Sequence, residues 1–248
     1  VMTPTFATIR RQFGFRSIEI GHWVTDAERD AAAVEFHQAL NDLQLALRAP
    51  AVLISLRDSL GLQYGIGGQL GVAAHYTPAI RKLALAKRAG RGALAHEWFH
   101  ALDHYLAPKV FETDEPMAFA SACWCENRET KAHPINDQLA EVFRTLFVSE
   151  DGQDTSALFR HSVLADERQG VHYYARPEEM AARGFEAFVQ DVARPNAFLV
   201  SGTRQSLEAR HGLYPQGEER MRINNAFARY FQSLGRALDR ERRLRQSA

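Results

Sequence analysis

The sequence predicts an α+β fold, and three observations carry that expectation. Strand-like segments and one capped helix occupy the first third of the chain, and helical patterning dominates the remainder. Strands first and helices afterwards is the order of α+β architectures. The composition, 46% hydrophobic and 24% charged over 248 residues, is that of an ordinary globular chain long enough to bury its own core. No internal repeat or low-complexity linker divides the chain. It therefore reads as one domain over residues 1–248, with an α/β part at about 13–107 and a helical part at about 135–245.

Residues 17–24 (SIEIGHWV) alternate in the manner of a strand. Thr25-Asp-Ala-Glu28 is a capping box, and helical apolar spacing runs from there to about Leu47. Ala49-Pro50 ends that helix, and the apolar run at 51–57 (AVLISLR) reads as a buried strand. Residues 61–71 are glycine-dense and predict turns between short strands. Residues 72–76 and 82–87 predict a strand pair joined at Thr77-Pro78. A second helix is expected at about 92–106. A third is expected at 136–148 with Asn136 as its cap, and a fourth at 177–192 with Pro177 in its first turn. The last long helix begins near Gly217 and reaches about Arg243, with two short helices between these.

Bulk properties exclude several classes. Lys+Arg and Asp+Glu are both 30, so global charge gives no support to nucleic-acid or acidic-membrane binding. Two cysteines, two residues apart, exclude a disulfide scaffold and fit a reducing compartment. No stretch approaches the roughly 18 apolar residues of a membrane span, and no secretory h-region reads from the start of the chain. The expected location is cytoplasmic.

The chemistry concentrates in Ala95-HEWFHALDHY-Leu106, where His96, Glu97 and His100 form an HExxH pattern. Helical residues four apart share a face at about 6 Å along the axis, so two imidazoles there can grip one zinc ion. Glu97, one step round, reaches a zinc-bound water as a base. The flanking residues Leu94, Trp98, Phe99, Ala101 and Leu102 are apolar, and a buried helix would not carry two histidines and a glutamate without partners. A catalytic zinc needs a third protein ligand. His104 lies roughly 12 Å along the axis from His96, too far to converge on the same ion. Asp103 sits one turn beyond His100, placed to accept that ring's second N–H, unless it is a plain surface carboxylate.

The third ligand must come from another element, and the segment Tyr173-YARPEEMAARGFEAF-Val189 is the best source. Glu179, Ala182, Gly184, Phe185 and Glu186 are expected to form a small, apolar face suited to close packing on the HEWFH helix. Glu179 and Glu186 are seven apart and share a face, whereas Glu178 points about 100° away. Acids at a helix start are also favoured by the dipole alone, so spacing does not choose among them.

HEWFHALDHY resembles the HExxHAxDxY run of zincin metallopeptidases of the anthrax lethal factor type. In that family a downstream helix with the pattern E-x-x-A-x-x-F supplies the third ligand, and Glu179-Met-Ala-Ala-Arg-Gly-Phe185 fits it. The resemblance implies that Glu179 binds zinc and that a tyrosine six or seven residues earlier stabilises the oxyanion. Tyr173 lies six before Glu179 and Tyr174 five, so both remain candidates. A wider likeness runs from about Phe13 to Phe227 through GFRSIEIGHWV, AAHYTPAIRKLALAKRAGRGALAHEWFHALDHY, YARPEEMAARGFEAFV and YPQGEERMRINNAF. These segments resemble a zincin-type (gluzincin) domain of large polyvalent proteins of phages and mobile elements. In that pattern Asp103, Tyr173, Glu179 and Glu186 recur, which implies that Asp103 and Glu186 orient ligands from behind.

The function expected from this reading is zinc-dependent hydrolysis of a peptide bond in a protein or peptide substrate. By analogy with zincins, the strand near 82–87 is expected to be an edge that pairs with extended substrate. The alternative is a non-catalytic zinc-containing module that docks protein or nucleic acid for a mobile element. Weaker signals default to plain structure. Gly65 to Gly71 fits neither phosphate-loop pattern. Cys123-Trp-Cys125 with His133 reads as two thiols in an extended segment, and the basic run 87–91 as a solvated loop.

Overall fold

A computed structural model describes residues 3–66, 74–86 and 92–247. The glycine-rich run beyond Ile66 and the basic run at 87–91 lie outside the described residues. The elements in order are α1 (Phe6–Phe13), β1 (Ile18–Ile20), α2 (Asp26–Leu47), β2 (Gly61–Tyr64), β3 (Ala74–Thr77), β4 (Lys82–Leu85), α3 (Leu94–Val110), α4 (Ala120–Cys125), α5 (Pro134–Phe147), α6 (Ala157–Gln169), α7 (Pro177–Val192), α8 (Leu207–Arg210) and α9 (Gly217–Gln246). The fold is α+β. The chain divides into two compact units. One holds Val1–Ala101, Ala193–Ser201 and Gly235–Ala248; the other holds Leu102–Val192 and Gly202–Leu234. Among the described residues no helix is long and apolar enough to cross a membrane.

The first unit is built on a mixed sheet of order β1-β2-β4-β3. β1 and β2 run parallel with Ile18 opposite Leu62, and β2 and β4 run parallel with Leu62 opposite Leu83. β3 returns antiparallel to β4, with Tyr76 opposite Leu83. The edge expected at 82–87 is therefore an interior strand, and among the described residues β3 is the edge beside it. Three consecutive buried residues in β4, Leu83, Ala84 and Leu85, suit a strand paired on both sides, while β3 carries the more polar Ala-His-Tyr-Thr. α2 starts as expected: Thr25 Oγ1 accepts the Glu28 N–H, and Glu28 accepts from the Thr25 backbone. Phe6, Phe36, Tyr64 and Phe198 form an aromatic cluster with ring centroids 5.1 to 5.9 Å apart. Each such pair adds roughly 0.5–1.5 kcal/mol beyond area burial.

Residues 51–57 are not a strand. Ala51–Leu53 form a 3₁₀ turn after Pro50, and Leu56, Arg57 and Asp58 all take left-handed φ of 51 to 62°. Three consecutive residues in that region cannot ladder with a neighbour. The apolar content still serves the core, since Leu53, Ile54 and Leu56 are buried, and the Ile54 carbonyl accepts the Trp98 indole N–H at 2.9 Å. A short apolar run shows that a segment is buried without showing its conformation.

The second unit is helical. Its centre is α7, which matches the expected bounds and is buried from Glu179 to Val189. Phe185 and Phe188 of α7 pack on Phe227 and Phe231 of α9 with centroids 5.5 to 6.0 Å apart. Burying each phenylalanine contributes roughly 1.5–3 kcal/mol. Gly184 faces Leu146 of α5 so closely that any Cβ would collide with it. Gly184 thus makes room for Leu146 of α5, and Phe185 packs on Phe227 and Phe231 of α9. Asp191 and the buried Arg220 pair at 2.7 Å, and Arg220 also donates to Thr203 O, Thr203 Oγ1 and Ala187 O. The third expected helix begins earlier than position 136. Pro134 occupies its first turn, and His133 Nδ1, not Asn136, caps it by accepting the Ile135 N–H. α1 was not expected; Thr5 caps it and Gly14 closes it with φ of 78°.

Candidate metal centre

α3 carries the HExxH residues, and its N-terminus is tightly specified. Ala95 N–H donates to Leu199 O at 3.0 Å, satisfying one of the donors a helix start leaves open. Gly92, with φ of 100°, passes Ser201 so closely that a Cβ would meet its Oγ at 2.5 Å. Leu94, Ala95, Trp98 and Phe99 are buried, which fixes the rotation of the helix about its axis. His96 and Glu97 are then half-buried and His100 is buried.

The side chains of His96, Glu97 and His100 come together. Each offers one ligand atom, and these atoms lie within 4.8 Å of one another. The two imidazoles meet edge to face with centroids 4.6 Å apart. Among the described residues this is the one group of three His, Cys, Asp or Glu side chains gathered closely enough to hold a metal ion. Glu97 has a partner that spacing along α3 could not reveal: its Oε2 accepts the backbone N–H of Tyr76 at 2.7 Å. The carboxylate is thereby tied to the edge strand β3.

Further along α3, Asp103 is 1% exposed, so it is not a surface carboxylate. Its oxygens accept the N–H and the hydroxyl of Ser121, at 2.8 and 2.5 Å. Burial pushes its pKa up to about 7, against the pull of the Ser121 hydrogen bonds, and Glu178 adds to the rise. His104 Nε2 donates to Pro116 O at 2.8 Å.

In the second unit, Glu179 and Glu186 are buried and Glu178 is half-buried. Tyr214 Oη donates to Glu186 Oε2 at 3.3 Å. Burial first, then the Glu186 charge, raise the Tyr214 pKa well above its ordinary value. Tyr173 and Tyr174 precede α7 on a segment whose backbone is clamped. Asp166 Oδ1 accepts the N–H groups of Tyr173 and Tyr174 at 3.0 and 2.8 Å, and Oδ2 accepts that of Ala175 at 2.9 Å. Burial of Asp166 works against ionisation, but those N–H groups outweigh it and hold its pKa below the ordinary value. Tyr174 Oη donates to Gln169 Oε1 at 3.4 Å, while Tyr173 is 43% exposed.

Cys123 and Cys125 lie on α4, not on an extended segment. Burial raises both thiols, Cys125 to about 12, which disfavours thiolate chemistry there. Tyr76, Ser121, Asp166, Arg183 and Tyr214 escaped the sequence reading. The one available signal was Arg183, a charge set in the small and apolar run of α7.

Comparison with known families places residues 165–238 on the model of large polyvalent protein-associated domain 1. No curated protein and no solved structure gives a significant match. The resemblance to large polyvalent proteins thus holds over α7 and much of its helical surroundings.

Proposed function

We propose that the chain is a zinc-dependent endopeptidase of zincin type acting on a protein substrate. The observation that carries this reading is the His96–Glu97–His100 cluster, with its ligand atoms within 4.8 Å of one another. Imidazole nitrogens are donors that hydrolytic zinc sites use, so His96 and His100 fit that ion, with the Glu97 carboxylate beside them. In this reading His96 and His100 hold the zinc, and Glu179, carried over from the family resemblance, is the third ligand.

When bound, the ion supplies Lewis acidity to the attacking water and the scissile carbonyl. Glu97 takes a proton from that water and passes it to the leaving amine. The Tyr76 N–H orients the carboxylate beforehand, linking the base to the strand beside it. Tyr173 donates a hydrogen bond to the carbonyl oxygen as charge develops there. Tyr173 is preferred to Tyr174 because it is the more exposed of the pair. Asp103 and Glu186 orient the ligand-bearing helices from behind. The outer edge of β3 beyond Tyr76, whose N–H is given to Glu97, is where an extended peptide would pair.

The test is cleavage of an unbiased peptide library by the wild type and by Glu97→Gln. The wild type should cleave only with zinc present. Glu97→Gln should keep the zinc and lose activity by at least about a hundredfold, since an amide cannot accept the proton. Equal cleavage by both would reject the role of Glu97. The second reading, a zinc-containing docking module, draws on the large polyvalent protein match over residues 165–238. It predicts zinc in both variants and cleavage by neither.

A further inference from the structure

We infer that Arg183 is a positioning residue that holds Tyr173 ready for the reaction; the role of Tyr173 rests on the peptidase reading, whereas the tie itself does not. Arg183 lies on α7, four residues after Glu179 and three before Glu186, and is 5% exposed. Its Nη2 donates to Tyr174 O at 2.6 Å and to Ser162 Oγ at 2.8 Å, and its Nε donates to Leu213 O at 2.7 Å. One guanidinium therefore binds three separate pieces of chain to α7. They are the tyrosine segment, helix α6 and the residue before Tyr214.

The tyrosine segment is consequently held from both sides. Asp166 takes its N–H groups, and Arg183 takes the carbonyl of Tyr174. The guanidinium also sits 5.8 Å from the Tyr174 ring centroid. That arrangement directs the Tyr174 ring toward Arg183 and Gln169 and leaves Tyr173 as the more exposed of the pair. Tyr173, Tyr214 and both glutamates lie within electrostatic range of the guanidinium and partly offset the effect of its burial.

The hydrogen bonds of Arg183 go to neutral oxygens, and the nearby Glu179 and Glu186 carboxylates offset part of the cost of burying its charge. What arginine adds is a rigid fork that reaches two carbonyls and a hydroxyl at fixed angles.

The experiment uses the full chain with zinc, as wild type, Arg183→Lys, Arg183→Met and each combined with Tyr173→Phe. Amide exchange of residues 173–175 is read by mass spectrometry beside zinc content and peptidase kinetics. Both Arg183 variants should keep their zinc while exchange at 173–175 quickens at least about tenfold, because the segment loses one of its two anchors. Lysine should not rescue, since it keeps the charge and loses the fork. kcat should fall at least about tenfold with KM within about threefold of the wild type, the mark of an interaction used in the transition state. Adding Tyr173→Phe should cost less than about another twofold, because the two residues act as one unit. Unchanged exchange at 173–175 would overturn the tie. Losses that multiply in the double variants would overturn the positioning role. A chain that binds zinc nowhere and cleaves nothing would overturn the role of Tyr173 while exchange still reports on the tie, so the two failures are distinguishable.

Discussion

Asp166→Asn isolates the anchor beneath the tyrosine pair. The native carboxylate is 7% exposed and accepts three backbone N–H groups, two on Oδ1 and one on Oδ2. Asparagine can keep the two on its single oxygen, but they become neutral bonds. Each then falls from roughly 1.5–3 kcal/mol toward roughly 0.5–1.5 kcal/mol. The amide nitrogen faces the Ala175 N–H, donor to donor, and leaves that group unsatisfied at a cost of about 1–3 kcal/mol. The expected loss at neutral pH is about 4 kcal/mol. Its pH dependence has a definite sign. The folded-state pKa of Asp166 is depressed below the ordinary value of 3.8, so its contribution is fully present above that value. It disappears as pH falls through the folded pKa. The stability gap between wild type and Asp166→Asn, measured by urea unfolding followed by tryptophan fluorescence, should be full at pH 7 and narrow in acid. A gap of the same size at both ends would show that the carboxylate charge is not what holds the tyrosine segment.

Glu179→Ala should weaken zinc binding strongly and Glu178→Ala hardly at all, by competition with a chromogenic chelator; the reverse ranking would sink the ligand assignment. Glu186→Ala should fall between them, at roughly 10- to 100-fold, the usual cost of a group that orients a ligand. Arg220→Met should destabilise the second unit by about 1–3 kcal/mol, because it leaves the Thr203 and Ala187 carbonyls short of a donor while Arg204 and Asn224 stay on Asp191. A chemical denaturation midpoint unmoved by that substitution would contradict the importance of these bonds.

What was legible in the sequence was local. The Thr25–Glu28 box, the HExxH turn and the proline-led α7 are each written within a few residues, and each is found where its spacing places it. What was hidden depends on partners distant in sequence. β4 reads much like any apolar strand, and its interior place comes from pairing with β2, about 20 residues earlier. The run at 51–57 shares its composition with a strand, and the left-handed backbone at 56–58 overrides that pattern. Tyr76 reaches Glu97 from 21 residues away and Arg183 reaches Leu213 across 30, so neither contact leaves a trace in local spacing. Asp103 was marked by its helical position, whereas its bond to Ser121 depends on how α4 returns to α3 within the helical unit.

Whether α3 builds a zinc site is read from the metal content of the purified chain. The wild type, dialysed against trace zinc and measured by plasma mass spectrometry, should hold about one ion per chain, by the ligand count of a catalytic site. His100→Ala should lose it and melt at a lower temperature than the zinc-loaded wild type, because bound metal stabilises only the folded state. A folded wild type that holds no zinc, and whose melting temperature does not respond to added zinc, would contradict the account.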